Sequence, residues 1–315
     1  MGGGKWSASV YDSVTRSKVT SGTTFAYTSY AKSHGVHDAH EDLRILKDGK
    51  PMTRESRDSD EHPESTPIIV GFDVTGSMGD NPAILQRELK GLFGMLIRKD
   101  VVSDPQIAIA AYGDTHCDYV PVQFSQFESD NRIDDNLDNV YIEQGGGGNM
   151  GETSTTVAWY AANCVVTDAW EKRGKRGYLF LVGDECALDV TASQASEYLG
   201  TQGPITAKDA FGAVQEKWDT YFLLVNNYAA EMQHSQRKYG ELLGPDHVIV
   251  LESTESVPAI IAALIGLGER TVDAGTLTTD LAEAGFGMEV AKSAARATAG
   301  IASVGADDGY ADLKL

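Results

Sequence analysis

Cysteine is scarce in this chain: Cys117, Cys164 and Cys186 are the three present among 315 residues. Their spacing suits neither a disulfide framework nor a paired zinc site. Each reads as a small core residue in a reducing compartment, not as a nucleophile. Long apolar runs are missing too. No stretch approaches the ~20 residues needed to span a bilayer, so no membrane association is expected. The N-terminus has no apolar h-region, and a secretory signal is not expected. Met1-Gly2 invites a myristoylation reading, but Trp6 stands where Ser or Thr is needed. Together these absences predict a cytoplasmic protein. Positive charge is the third shortage. Lys and Arg number 26 against 46 Asp and Glu, a formal charge of -20. Nucleic acid is disfavoured as a partner because phosphate binding needs clustered cations. An acidic surface fits solubility, cation binding or a basic protein partner. Repeats of fixed period are also absent.

Apolar residues are plentiful at 42% of the chain, ample for one large core with extensions. The organising stretch is Pro67 to Met78, PIIVGFDVTGSM. Ile68 to Phe72 is a nearly continuous apolar run, the pattern of a strand buried on both faces in a parallel sheet. Asp73, Thr75 and Ser77 follow at its carboxyl end, where open α/β sheets place ligand sites. Spacing by two aims these side chains the same way while the loop stays extended. One carboxylate and two hydroxyls make a hard-oxygen site suited to Mg2+, with Ca2+ or Mn2+ as alternatives.

Strands and helices alternate from there on. Helical spacing runs from Ile84 to Ile97 behind Pro82. Gln106 to Tyr112 reads as a second strand and Tyr119 to Phe124 as a third, with Pro121 marking a sheet edge. Ile133 to Tyr141 is a short helix candidate. Gln144 to Thr153 carries a run of glycines, a loop that lets backbone approach a ligand. It lacks the Gly-Lys-Ser/Thr ending of a phosphate cradle. One helical pattern spans Thr153 to Arg173. Tyr178 to Val182 is the next buried strand, and Asp184 follows it as Asp73 follows the first. Further helices are predicted at 191–199, 207–218, 231–243 and 257–267, and strands at 221–225 and 248–251. This alternation predicts a doubly wound α/β fold: a mainly parallel sheet, helices on both faces and one antiparallel edge strand.

Composition divides the chain into a polar extension (1–66), the α/β domain (67–268) and an Ala/Gly-rich extension with a tail (269–315). In the first, Phe25 to Tyr30 reads as a strand or an aromatic arm. His34, His37 and His40 recur at spacing three, a transition-metal pattern if helical. Gly35 weakens that helix, and a solvated polar segment is the reading adopted. Arg54 to Ser65 reads as a charged connector without periodicity. At the far end, Ala282 to Thr298 holds one or two helices and Gly305 to Leu315 a solvated tail.

The Asp73-Val74-Thr75-Gly76-Ser77 string after an apolar strand resembles the metal-ion-dependent adhesion site of von Willebrand factor type A (VWA) domains. It is also similar to the related domain of integrin β chains. The resemblance covers Pro67 to Gly268, about two-thirds of the chain. It implies a Rossmann-like fold and a site assembled from three loops. The second loop of the family donates a Thr or Glu; here Asn149-Met150-Gly151-Glu152 puts Glu152 in that place. Thr153 is the alternative donor, while Asn149 and Gly151 replace the aspartate and proline of the integrin pattern. The third loop implies Asp184, with Gly183-Asp184-Glu185 standing for the family's T-D-G. Asp80 matches a ligand of an adjacent metal in integrin β chains. Three carboxylates, Asp73, Glu152 and Asp184, repel one another and so favour a bound divalent cation. The resemblance further implies a coordination position left open for a partner's Asp or Glu. The expected function is therefore cation-dependent protein binding. An AAA+ ATPase or a multi-protein assembly is the partner class that the resemblance suggests.

The same string looks superficially like the haloacid dehalogenase motif D-x-D-G-[ST]. Thr75 stands where that chemistry needs a second Asp as acid and base, so a non-enzyme is expected. A metal-dependent hydrolase is the second reading, and a structural assembly protein with a stabilising metal the third.

Overall fold

Strands that are apolar on both sides must lie between two layers of helix, and this chain builds its sheet from such strands. The structure, a computed structural model, describes residues 26–34, 39–98, 100–143, 154–227 and 229–304. Helix α1 (Ala26–His34) precedes a hairpin of β1 (Leu46–Lys47) and β2 (Lys50–Pro51), then β3 (Arg54–Ser56). Next come β4 (Thr66–Asp73), α2 (Asn81–Arg98), β5 (Pro105–Tyr112), β6 (Val122–Phe124) and α3 (Arg132–Asp138). They are followed by α4 (Ser154–Asn163), β7 (Val165–Thr167), α5 (Asp168–Arg173) and β8 (Gly177–Gly183). The second half holds α6 (Ala192–Leu199), α7 (Ala207–Val214), β9 (Trp218–Leu224), α8 (Ala229–Leu243) and β10 (Val248–Val250). It closes with α9 (Val257–Gly268), α10 (Leu277–Glu283) and α11 (Met288–Val304).

The main sheet has six strands in the order β10-β9-β8-β4-β5-β6. Only β6 is antiparallel to its neighbour. This is the doubly wound, Rossmann-like arrangement that the alternation of strands and helices predicts. All eight residues of β4 are buried. Ile68, Val70 and Phe72 face an apolar cluster shared with α2 and α9. Ile69 faces the opposite cluster, shared with α4 and α7. Gly71 sits so close to β8 that a Cβ there would meet Leu181 Cδ2 at 2.9 Å. The first cluster continues past Gly268: Leu277 and Leu281 of α10 and Ala291 and Ala294 of α11 are buried in it.

Several local expectations are corrected. Residues 26–30 are helical, not extended, because Tyr30 stacks on His34 one turn later, with centroids 4.1 Å apart. Thr28 ties this helix to the domain by accepting the Ile142 N–H at 2.8 Å. The histidines form no cluster among the described residues: His34 is on α1, and His40 Nδ1 accepts from Asp42 N. His37 lies outside the described residues, as do the glycine loop at 144–153 and the tail at 305–315. The helical pattern of 153–173 is broken at β7, where Val165, Val166 and Thr167 are all β-branched. They pair in parallel with β3, so Arg54–Ser56 is a strand and not a connector. The helix read at 207–218 ends at Val214, and Trp218 opens β9. The edge strand starts at Val122, leaving Tyr119 68% exposed. Cys117 is exposed where a core residue was expected.

Arg54 is buried at 1% exposure, with its guanidinium spent on backbone carbonyls. Nε donates to Phe124 O at 3.1 Å, and Nη2 to Asp42 O and Arg44 O at 3.1 and 2.7 Å. Beside it, Arg57 Nη1 reaches Asp168 at 2.9 Å, and Arg173 Nη1 reaches Asp58 at 2.7 Å. Asp58 also accepts from Ser65 N–H and hydroxyl. The Arg173 hydrogen bond, opposed by partial burial, holds the Asp58 carboxyl well below the usual carboxylate range. Its contribution to stability is therefore complete above the unfolded pKa of about 3.9 and is lost as pH falls further. Asp58→Asn is expected to destabilise the chain by about 1–2 kcal/mol at pH 7 and to flatten the acid limb of its stability profile. Urea melts between pH 7 and pH 3 test this; parallel profiles for the two proteins would refute it.

Candidate metal centre

The centre lies at the carboxyl end of β4. From β4 the chain goes one way to β5 and β6, and later the other way through β8 to β9 and β10. The order therefore reverses between β4 and β8, and a crevice opens outside their carboxyl ends. Asp73 is the last residue of β4, and Asp184 follows the last residue of β8. The two strands approach closely at this end. A Cβ on Gly183 would meet Tyr112 Oη at 2.7 Å and Asp73 Cβ at 3.3 Å. Tyr112 Oη meanwhile donates to Val182 O at 2.9 Å, fixing the end of β8.

Past Asp73 the chain stays extended through Thr75 and then enters a 3-10 turn at Gly76–Met78. Gly79 ends the turn with φ of 55°, a conformation that favours glycine. This path folds the hydroxyls back over the strand end. Thr75 N–H donates to Asp73 Oδ1 at 2.7 Å. Thr75 Oγ1 lies 3.0 Å from Ser77 Oγ, which donates to Asp184 Oδ1 at 3.1 Å. Asp73, Thr75, Ser77 and Asp184 thus form one continuous chain of contacts. Asp80 does not join it. It is exposed at the start of α2, where its carbonyl accepts from Ala83 and Ile84 N–H groups. Glu152, Thr153 and Asn149 lie outside the described residues.

Asp73 is fully buried, and among the described residues its Oδ2 has no hydrogen-bond partner. Burial first, and then the Asp184 charge, push its carboxyl well above the usual range. Asp184 is also raised by burial, against the lowering effect of hydrogen bonds from Asn227 and Ser77. Glu185 faces the same group; burial and then Asp184 push it up to about 7. Among the described residues no Lys or Arg pairs with Asp73 or Asp184. Also among the described residues, no three His, Cys, Asp or Glu side chains form a ready metal cage. The donor set is instead two carboxylates and two hydroxyls. Hard oxygens, a shortage of positive charge and an orphaned buried carboxylate oxygen fit a small divalent cation.

Two residues at this site were missed in the sequence. In the sequence Glu185 figures only as the last residue of the stretch that stands for T-D-G. Asn227 follows β9, and its Nδ2 donates to Asp184 Oδ2 at 2.9 Å. The rule that singles out Asp73 and Asp184, a polar residue after a buried strand, points to the Asn226-Asn227 pair without choosing between them.

No family model matches the chain, and no curated protein matches it. Solved structures that align with it include the pilus adhesin SpaC from Lactobacillus rhamnosus GG in its open conformation. That alignment has a TM-score of 0.47 and 10% identity over 70% of this chain and 31% of the adhesin. The chain therefore spans about a third of the adhesin's length. BatB from Bacteroides thetaiotaomicron aligns with a TM-score of 0.39 and 11% identity, over 65% of this chain and 98% of BatB. The PilB minor pilin from Streptococcus sanguinis aligns with a TM-score of 0.39 and 14% identity, over 64% of this chain and 61% of the pilin. Likenesses this loose transfer no function.

The orphaned carboxylate generates a stability prediction. A carboxyl whose folded pKa is raised destabilises the fold above its unfolded pKa and has no such effect below it. Asp73→Asn is expected to stabilise the cation-free protein by about 1–3 kcal/mol at pH 7, with the gain vanishing near pH 4. Denaturant melts in EDTA at the two pH values measure it. A variant less stable than wild type at pH 7 would show that Asp73 is already satisfied without a cation.

Proposed function

We propose that this chain is a divalent-cation-dependent protein-binding module of the VWA kind, working inside the cell and not as an enzyme. The carrying observation is Asp73 Oδ2, fully buried beside Thr75, Ser77 and Asp184 and without a hydrogen-bond partner among the described residues. Asp73 and Asp184 would hold Mg2+ by charge, and Thr75 and Ser77 would supply neutral oxygens. Bound there, the ion would offer an incompletely ligated positive centre to the Asp or Glu of a partner protein. Thr75 N–H keeps Asp73 in one orientation, and Ser77 spans the gap to Asp184. The Gly183 close approach keeps the two carboxylate-bearing strand ends together. An AAA+ ATPase or another member of a larger assembly is the proposed partner class. The intracellular setting rests on the scattered cysteines.

One observation favours a second reading, a metal-dependent hydrolase. Glu185 has its carboxyl pushed up to about 7 by burial and by Asp184, a value suited to moving a proton at neutral pH. Thr75, with a neutral hydroxyl, offers no such group.

Two measurements decide. Addition of Mg2+ or Mn2+ is expected to raise the unfolding midpoint of wild type by several degrees and to leave Asp73→Asn unmoved. Partner recovery in pull-downs is expected with Mg2+ and to be lost both in EDTA and in Ser77→Ala. Equal recovery under all conditions would defeat the binding proposal. Turnover of p-nitrophenyl phosphate with Mg2+, abolished in Glu185→Gln, would install the hydrolase in its place.

A further inference from the structure

We propose that Asn227 is a positioning residue of the metal centre, making the loop after β9 a further wall of the site. This rests on the reading of Asp73, Thr75, Ser77 and Asp184 as a cation site. Asn227 Nδ2 donates to Asp184 Oδ2 at 2.9 Å and to Ser77 O at 3.1 Å. A single amide therefore clamps the carboxylate of one loop to the backbone of another. With Oδ2 held by Asn227, the other oxygen, Oδ1, is the one that meets Ser77 Oγ, at 3.1 Å. Rotation of the Asp184 carboxylate about its last bond would break both contacts.

Asn227 is itself held. Asn81 Nδ2 donates to Met78 O at 2.8 Å and lies 3.5 Å from Asn227 Oδ1. Asn81 Oδ1 accepts from Thr254 Oγ1 at 2.6 Å. The sequence of contacts Thr254, Asn81, Asn227, Asp184 runs from the turn before α9 to the site, through neutral groups only. Neutrality is the chemical point. A lysine at position 227 would neutralise Asp184 and compete with a cation, and an acid would repel it. An amide orients the carboxylate while leaving its charge available.

Orientation matters unequally to different ions. Mg2+ demands near-ideal octahedral geometry, whereas Ca2+ accepts irregular, flexible oxygen sets. Removing an outer-shell partner typically weakens metal binding by about 10–100-fold. Asn227→Ala and Asn227→Ser, titrated calorimetrically with Mg2+ and with Ca2+, are expected to lose Mg2+ affinity by about 10-fold or more. Their Ca2+ affinity is expected to change by less than about threefold, and their unfolding midpoint in EDTA to stay near that of wild type. Equal affinities in wild type and variants, or equal losses for both ions, would overturn the positioning role while leaving the cation site standing. If wild type binds neither ion, the cation reading itself falls, and this role with it. Thr254→Val, remote from the carboxylates, decides the matter should both Asn227 variants unfold. A loss of Mg2+ affinity without loss of Ca2+ affinity upholds the role, and unchanged Mg2+ affinity overturns it.

Discussion

A carboxylate sealed into the end of a central strand is the constraint around which this molecule is arranged. Asp73 does not sit out in solvent as most carboxylates do. Instead it pairs within the sheet opposite Tyr112, is fully buried, and receives one backbone N–H from Thr75. An isolated ionised carboxylate in such a place is strongly unfavourable unless it is paired, protonated or bound to a metal. No Lys or Arg among the described residues supplies the pairing. The neighbours are hydroxyls and a second carboxylate, which orient and repel but do not neutralise.

The surroundings hold that arrangement rigid. β4 is paired on both sides, to β5 through Asp73 and to β8 through Phe72, so its end cannot swing away. Tyr112, opposite Asp73, sends its hydroxyl to the last turn of β8 and so links three strands at the crevice. Gly71 and Gly183 let the neighbouring strands pack where any side chain would push them apart. Each feature lowers the freedom of Asp73 and Asp184 relative to one another. A site with preset carboxylates holds a cation with little reorganisation.

The parts legible in the sequence were those whose signal is local. Ile68 to Phe72 followed by Asp73 announces a buried strand with a polar end, and Tyr178 to Val182 followed by Asp184 repeats it. Spacing by two links Asp73, Thr75 and Ser77 along an extended loop. What stayed hidden depends on contacts distant along the chain. β3 and β7 are three residues each, and neither is convincing alone; they are strands because they pair with each other. Arg54 reads as one more charge in a polar stretch, yet it is buried because three carbonyls from two distant segments, 42–44 and Phe124, converge on it. The helix at 26–34 carries Thr, Ser and Tyr, which vote weakly for any structure, and packing against residues 140–142 settles it. Asn227 is a polar residue after a strand, but nothing local distinguishes it from the Asn226 beside it.

Charge is distributed along the strands with one consistent sense. At the amino ends of β4 and β8, Arg57, Lys172, Arg173 and Lys175 are engaged with Asp58, Asp168 and Glu269. These pairs bind the β3–β7 ribbon and α5 to the sheet, and they use up cations in a chain that has few. At the carboxyl ends stand Asp73, Asp184 and Glu185, contacted by hydroxyls and amides. A basic residue beside Asp73 would turn the crevice into an internal ion pair. A buried pair of that kind adds little stability once desolvation is counted. With those cations engaged at the amino ends, the crevice carboxylates keep only hydroxyl and amide contacts among the described residues, which leaves their charge free to be balanced by the divalent cation proposed above.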